Sequence, residues 1–205
     1  LNPMKNNASA LEPGTTYHIY NHANGFENLF VKEENYLYFL KKYTAHIPSV
    51  ADTLAYCLMP NHIHLMVKIK QKSQLPESLK LSGSPTSGKI SKQFGNLFSA
   101  YAQSFNKQQK RMGSLFIPNF KRKAVTNDQY FAHLVHYIHL NPVKDGFVAH
   151  PAEWPHSSFM SLLSDRPSRL LRDEVLAFFG GREGFLAAHH LDPDDRFLKI
   201  VSDWY

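Results

Sequence analysis

The sequence predicts an α+β fold, in which helices cover one face of an antiparallel sheet and a helical extension follows at the C-terminus. Two observations support this prediction. Four segments have the alternation or the β-branched and aromatic content of strands. Two longer segments with helical periodicity separate the first strand from the second and the third from the fourth. A length of 205 residues fits one domain with such an extension.

The first four predicted elements lie in the first third of the chain. Residues 15–24 (TTYHIYNHAN) alternate and predict a strand. Residues 32–47 place apolar side chains at helical spacing and predict a helix. Residues 52–59 and 62–70 predict two strands that form a hairpin.

The order of the first six elements suggests a topology. Residues 71–89 are rich in Ser, Gly and Pro and predict a flexible loop. Residues 90–110 repeat apolar side chains along one helical face. Residues 114–125 predict a short interrupted strand, and Pro118 favours an edge position for it. The resulting order, βαββαβ, is that of a ferredoxin-like antiparallel sheet with its helices on one face.

A further helix is predicted over residues 127–141. Thr126 or Asn127 can cap its N-terminus, and Asn141-Pro142 is expected to end it. Its core-facing residues are predicted to be Phe131, Leu134, Val135 and Ile138.

Three regions follow from these elements. Residues 1–13 are expected to be a disordered lead-in, and residues 14–150 the main domain, which contains the loop 71–89. Residues 151–205 are expected to form a helical C-terminal extension.

Charge and composition restrict the class of protein. The net charge is +6, and the interval from Lys68 to Lys123 holds twelve Lys or Arg and one acid, Glu77. A basic segment of this density favours a polyanionic partner such as nucleic acid, although a solvated surface has the same composition. The single Cys57 excludes an internal disulfide framework. Without a long apolar run or an apolar leader, we expect a cytoplasmic protein.

Two histidines lie on one face of the strand at 62–70. Residues i and i+2 of a strand point the same way, so His62 and His64 share a face opposite the apolar Ile63 and Leu65. Two imidazoles at this spacing can reach one metal ion. They could equally be exposed or hydrogen-bonded histidines. A structural zinc site is not expected, because Cys57 is the only cysteine.

The helix at 127–141 offers complementary chemistry. Tyr137 and Asn141 are four residues apart and therefore neighbours on a helix. An amide oxygen can bind Mg²⁺ or Mn²⁺, and a phenol one turn away could attack a phosphate held by that metal. The alternative is that Tyr137 packs with its hydroxyl in water and Asn141 only ends the helix.

Together these segments resemble the single-tyrosine HUH transposases of the insertion-sequence-200 type, and among them the REP-associated tyrosine transposases. MPNHIHLMV (59–67) resembles the His-hydrophobic-His strand of that family, and YIHLNPVKDGFV (137–148) resembles its tyrosine helix. Three further segments match family segments in the same order: YHIYNHAN (17–24), GSLFIPNFKRKAV (113–125) and WPHSSF (154–159).

The resemblance implies a function and a site. It implies metal ligands His62, His64 and Asn141, a nucleophile at Tyr137, and Mg²⁺ or Mn²⁺ as cofactor. The activity that the resemblance implies is cleavage and rejoining of single-stranded DNA next to a hairpin, through a 5′-phosphotyrosine intermediate. The partner would be single-stranded or hairpin DNA in the nucleoid, and the chain would act as a monomer or homodimer.

Two other functions remain open. The first is a domesticated, sequence-specific DNA-binding protein that keeps the fold with little catalysis. The second is an unrelated metal-dependent hydrolase that uses the histidine pair without Tyr137. In the DNA-binding functions, phosphate contacts are expected from basic residues of the middle segment: Lys68, Lys70, Lys107, Lys110, Arg111, Lys121, Arg122 and Lys123.

Overall fold

The structure of the chain is a computed structural model that describes residues 10–80 and 86–190. Its elements are β1 (Thr16–His22), α1 (Glu33–His46), β2 (Ala51–Leu58), β3 (His62–Ile69), α2 (Glu77–Lys80), α3 (Thr86–Gln109), β4 (Lys121–Ala124), α4 (Asp128–Lys144), α5 (Phe159–Leu163), α6 (Arg172–Phe178) and α7 (Arg182–His189). Short 3₁₀ turns lie at Lys72–Gln74 and Pro151–Glu153.

The four strands form one antiparallel sheet in the order β2-β3-β1-β4. This is the ferredoxin-like arrangement, and it confirms the predicted fold class. The register sets Tyr20 of β1 opposite His64 of β3, and His22 opposite His62. On the other side of β1, Tyr20 faces Lys121 of the edge strand β4.

One face of the sheet is apolar and packs under α1 and α3. This apolar face carries Tyr17 and Ile19 from β1 and Ile63, Leu65 and Val67 from β3. The two helices also pack against each other, as the prediction of helices on one face requires.

The opposite face carries the histidines and is called here the histidine face: His18, Tyr20, His22, His62, His64 and Met66. Helix α4 crosses it over β2 and β3, and α5, α6 and α7 join α4 in a second hydrophobic cluster. The sheet is therefore covered on both faces along β2 and β3.

Two predicted flexible segments contain ordered structure. Leu11 is fully buried, and the Tyr17 hydroxyl donates to Ala10 O at 2.7 Å, so residues 10–13 pack against β1. Residues 1–9 of the predicted lead-in lie outside the described residues. The prediction of a loop over 71–89 is wrong for its described parts, because buried Leu75 ties the segment to the core and α3 begins at Thr86.

Two predicted boundaries also differ. The predicted strand 114–125 is reduced to β4, because Pro118 and the positive φ of Asn119 interrupt it, although Phe116 still bridges to Ala23. Helix α4 continues through Pro142 instead of ending there. A proline near a helix end removes one hydrogen bond, while the Asp145 amide still donates to Asn141 O at 3.0 Å.

The extension after residue 150 is bound to the sheet by specific contacts. The Ser158 hydroxyl accepts from Tyr56 N at 2.9 Å, and Trp154 Nε1 donates to Leu58 O at 3.1 Å. Residues 191–205 of the predicted extension lie outside the described residues. Within the described part of the chain, no helix has the length and apolarity needed to cross a membrane.

Candidate active site

His62 and His64 lie side by side on the histidine face, as their spacing predicts. Their ring centroids are 5.0 Å apart, and the two side chains are 5% and 1% exposed. The apolar face anchors β3 from behind through Ile63 and Leu65. Both histidines are therefore buried, in contrast to the exposed pair that the sequence also allowed.

Each imidazole is oriented through its Nδ1 atom. His62 Nδ1 donates to the Asn61 Oδ1 atom at 2.8 Å. His64 Nδ1 forms a hydrogen bond of 2.9 Å with His18 Nε2 across the β1–β3 pair. Hydrogen bonds of this kind fix the ring orientation and the tautomer of a histidine ligand.

Asn141 meets these imidazoles from helix α4. The Asn127 side chain caps this helix by accepting from Tyr130 N at 2.7 Å. Asn141 Nδ2 donates to Tyr137 O, one turn earlier, at 2.8 Å, which aims Oδ1 at His62 Nε2, 3.4 Å away. The Asn141 side chain also forms a hydrogen bond with His64.

The two imidazoles are neutral at neutral pH. Burial lowers the pKa of His62 to about 4, and it also holds the pKa of His64 well below its usual range. Since His62 Nδ1 is the donor to Asn61, a neutral His62 presents a lone pair at Nε2. Asn141 Oδ1 is an acceptor too, so two acceptor atoms, His62 Nε2 and Asn141 Oδ1, face each other.

This donor set fits a divalent cation. A cation between two facing acceptors satisfies both, and adjacent ligands of an octahedral ion lie roughly 3 Å apart. A cleft of about 40 Å³ beside His62 and His64 has room for an ion and water. Within the described residues, no group of three His, Cys, Asp or Glu could hold a metal, so the third donor would be the Asn141 amide.

Tyr137 lies next to the histidine pair. Its ring centroid is 5.3 Å from that of His64 and 6.5 Å from that of His18, with the rings nearly perpendicular. The side chain is 3% exposed. Burial raises the pKa of Tyr20 to about 12, and the charge of the Tyr137 phenolate adds to this increase. The two phenols are therefore near each other.

The predicted phosphate contacts divide into two groups. Lys121 and Lys123 are exposed and lie on the histidine face, opposite Tyr20 and His18 in the sheet. Arg122, between them, points to the apolar face, where its Nη1 donates to Ser91 Oγ at 2.7 Å.

The other predicted contacts are not brought to this site. Lys68 forms an ion pair of 2.9 Å with Glu174, and Lys70 lies 3.7 Å from Asp52. Arg111 is paired with Glu27. Lys107 lies on α3 and Lys110 directly follows this helix, which packs on the apolar face.

Sequence reasoning gave no role to three residues that line the site. His18 bonds His64, His22 stacks on His62 with ring centroids 5.7 Å apart, and Tyr20 lines the cleft. The signal was the alternation His18-Tyr20-His22 in the predicted first strand. It indicates a shared face, but only the register of β1 on β3 shows which residues this face meets.

Comparison with known proteins shows which sequences and folds the chain resembles. No family model matches the chain. A putative REP-associated tyrosine transposase from Haemophilus influenzae is 31% identical over 115 residues, which cover 53% of this chain and 58% of that protein. A REP-associated tyrosine transposase from Escherichia coli is 39% identical over 46 residues, 22% of this chain and 28% of that protein. The matched part is less than two thirds of either relative.

A solved structure has a similar fold. It is a REP-associated tyrosine transposase bound to a REP hairpin, with a TM-score of 0.58, and the match covers 80% of this chain and 89% of that one. At 20% identity this likeness shows the fold alone. Part of this chain is thus similar in sequence to REP-associated tyrosine transposases, and the chain is similar in fold to one solved member.

Proposed function

We propose that the chain cleaves and rejoins single-stranded DNA beside a hairpin, through a covalent bond to Tyr137. The observation that carries this proposal is the meeting of Tyr137 and Asn141 from α4 with His62 and His64 from β3 in one buried site. The names of the relatives and the hairpin bound in the solved structure support it.

DNA would approach over the uncovered half of the histidine face. Helix α4 covers β2 and β3, whereas Lys121 and Lys123 remain exposed on β4. These lysines would bind backbone phosphates. The cleft lined by Tyr20, His22 and Lys121 then leads to the histidine pair.

The chemical step is a transesterification at phosphorus. The Tyr137 hydroxyl oxygen forms a bond to phosphorus, and the bond between phosphorus and the 3′ oxygen breaks. The phenol loses its proton and the released 3′ oxygen gains one, which leaves a 5′-phosphotyrosine link and a free 3′ hydroxyl. Attack by a 3′ hydroxyl reverses these changes. Rejoining therefore needs no nucleotide cofactor.

His62, His64 and Asn141 would hold Mg²⁺ or Mn²⁺, which would act as a Lewis acid on the phosphate oxygens. His18 and Asn61 keep the two Nδ1 atoms engaged, His62 Nε2 lies 3.4 Å from Asn141 Oδ1, and His64 bonds the Asn141 side chain. Tyr137 O fixes the Asn141 amide in turn. The nucleophile Tyr137 and the ligand Asn141 are thus held by the same turn of α4.

A denaturing gel tests the proposal. Labelled hairpin DNA with single-stranded flanks is incubated with the full chain and Mn²⁺. We expect a covalent protein–DNA band that Tyr137→Phe abolishes. The matched controls Tyr20→Phe and Tyr130→Phe, which alter neighbouring phenols, should retain it.

The other outcomes favour other functions. Cleavage that yields no adduct and survives Tyr137→Phe would indicate the metal-dependent hydrolase. DNA binding without cleavage in the presence of Mg²⁺ or of Mn²⁺ would indicate the domesticated DNA-binding protein.

A second variant separates chemistry from binding. His64→Ala should abolish adduct formation and leave hairpin affinity within about threefold, because His64 faces the buried site and not the exposed strand. His46→Ala, at the end of α1, is the matched control and should behave as wild type. Equal loss of binding and adduct in His64→Ala would assign this histidine a structural role.

A further inference from the structure

The second hydrophobic cluster contains a chain of buried polar side chains that the proposed reaction does not use. His139 of α4 lies between Ser158, which precedes α5, and His189 of α7. Its Nε2 atom is 2.8 Å from Ser158 Oγ, and its Nδ1 atom is 2.9 Å from His189 Nε2. These three side chains, called here the histidine anchor, are at most 6% exposed. The anchor joins the extension to the helix that carries Tyr137 and Asn141.

The hydrogen bonds of the histidine anchor have one direction. Phe185 O can only accept, so His189 Nδ1 donates to it at 2.7 Å. Burial holds the pKa of both histidines below the usual range, so each neutral ring has one donor and one acceptor nitrogen. His189 Nε2 therefore accepts from His139 Nδ1, and His139 Nε2 accepts from the Ser158 hydroxyl. Such a chain is satisfied in one arrangement of its elements.

The Ser158 end of the anchor is attached to the sheet. Ser158 Oγ also accepts from Tyr56 N, and Ser158 N donates to Tyr56 O, both at 2.9 Å. Tyr56 pairs with Leu65 of β3, the residue after His64. The helix that carries Asn141 is therefore connected through hydrogen bonds to the strand that carries His64.

His139 lies on the flank of α4 opposite the candidate active site. Successive residues of a helix are about 100° apart, so His139 is about 200° from Tyr137 around the axis, and Asn141 is only about 40° from it. A rotation of α4 by about 10° would move a side-chain atom that lies about 6 Å from the axis by about 1 Å. Misplacement of a reacting group by about 1 Å can slow a reaction about a hundredfold.

Stability alone does not account for these polar residues. Their surroundings are apolar, and the His139 ring lies 5.5 Å from that of Phe159 and 5.8 Å from that of Phe185, between centroids. Replacing hydrogen-bonded partners by apolar groups of the same shape can be nearly neutral for stability. A fully satisfied polar network instead specifies a single arrangement of the elements that it joins.

We infer that the histidine anchor positions α4 for the proposed reaction. The inference rests on the proposed function for the reaction whose rate depends on this alignment. The three residues of the anchor contribute no atom to the site. They are positioning residues that fix the rotation of α4, and with it the alignment of Tyr137 with His64. The extension then takes part in the reaction by holding the helix that carries the nucleophile.

Two replacements of His139 separate positioning from stability. His139→Leu removes both hydrogen bonds of the imidazole, whereas the glutamine of His139→Gln can accept from Ser158 through Oε1 and donate to His189 through Nε2. Val67→Ala, which leaves a cavity on the apolar face, is the stability control. Ser158→Ala removes a single hydroxyl and replaces His139→Leu in the test if that variant does not fold.

The first measurement follows adduct formation in a single turnover of the full chain, with Mn²⁺ and a saturating excess of flanked hairpin DNA. The amplitude counts the folded protein, and the rate constant reports the alignment. His139→Leu should lower the rate constant at least about tenfold at unchanged hairpin affinity, and His139→Gln should stay within about threefold of the wild type. Val67→Ala should keep the wild-type rate constant. A loss of amplitude alone in His139→Leu, or equal slowing in Val67→Ala, would overturn the inference.

The second measurement needs neither activity nor metal. The protein is labelled with fluorotyrosine, and the fluorine resonance of Tyr137 is identified by its loss in Tyr137→Phe. Because the ring of Tyr137 lies 5.3 Å from that of His64, this resonance is sensitive to their relative placement. His139→Leu should shift or split it, whereas His139→Gln and Val67→Ala should keep it near the wild-type position.

The two measurements distinguish the inference from the proposed function. An unmoved Tyr137 resonance in His139→Leu would overturn the inference whether or not the protein is active. A wild type that forms no adduct, together with the expected shift in His139→Leu, would refute the proposed function alone and leave the anchor as the group that positions α4.

Discussion

The two faces of the sheet are similarly buried along β3 but differ in chemistry. On the apolar face Ile63, Leu65 and Val67 pack with aromatic side chains of α1 and α3. On the histidine face His62 and His64 are no more than 5% exposed. Buried polar groups cost free energy unless they are hydrogen-bonded.

The buried polar groups of the histidine face and of the helices packed on it meet this requirement through chains of hydrogen bonds. One chain joins His18, His64 and Asn141. A second joins Ser158 to His139 at 2.8 Å and His139 to His189 at 2.9 Å, so that it ties α4 to α7. The apolar face therefore stabilises the fold, whereas the histidine side holds polar groups in a fixed arrangement at a cost in free energy.

The largest effect should come from the apolar face. Phe39→Ala removes a fully buried ring that packs against Phe30 and Tyr101, and it should lower the free energy of unfolding by about 3–5 kcal/mol. Denaturant titration measures this loss. Leu37→Ala, on the same helix and 59% exposed, should change it by less than about 0.5 kcal/mol. A similar small change for Phe39→Ala would break the comparison.

The helices packed on the histidine face should make stability depend on pH through His189 of α7. Burial, the largest cause, lowers the pKa of His189 to about 3, and the neighbouring His136, His150 and His190 act in the same direction. Because the unfolded histidine binds a proton below about pH 6.5 and the folded one does not, stability falls as the pH falls from about 6.5 toward 3. The contribution of His189 approaches about 1.4 kcal/mol per pH unit.

His189→Gln tests this dependence, since glutamine can hydrogen-bond but does not titrate. Urea titrations between about pH 6 and pH 4 should give a slope of stability against pH that is smaller by about 1.4 kcal/mol per unit than in the wild type. Phe39→Ala should leave the slope unchanged. Equal slopes for His189→Gln and the wild type would mean that this histidine is not held neutral.

The smallest effect concerns the exposed half of the histidine face. Lys121→Gln should weaken hairpin binding and reduce the slope of log affinity against log salt by about 0.7–1, the value for one phosphate contact. Lys68→Gln lies on the same face but is paired with Glu174, so it should leave the slope unchanged. Equal reductions in both variants would show that net charge, and not position, determines DNA binding.

Much of this arrangement could be predicted from local pattern. Alternation identified the shared face of His62 and His64, and the four-residue spacing of Tyr137 and Asn141 placed them together on a helix. Both patterns depend on backbone geometry alone, which is why they survive in the folded chain.

What depends on long-range packing could not be predicted. The contact between His18 and His64 depends on the β1–β3 register, and the covering of the histidine face depends on where α4 packs. The helix was expected to end at Asn141, but tertiary packing carries it past Pro142. Which basic residues reach the site could not be predicted either. Strand alternation directs Arg122 to the face opposite Lys121 and Lys123.

The most direct test is to identify the residue that carries the DNA. Protein incubated with flanked hairpin DNA and Mn²⁺ is digested with a nuclease and a protease, and the peptides are sequenced by mass spectrometry. A nucleotide 5′-phosphate on Tyr137 is the predicted result. The same modification on Tyr20 or Tyr130, or cleaved DNA with no modified tyrosine, would contradict the account.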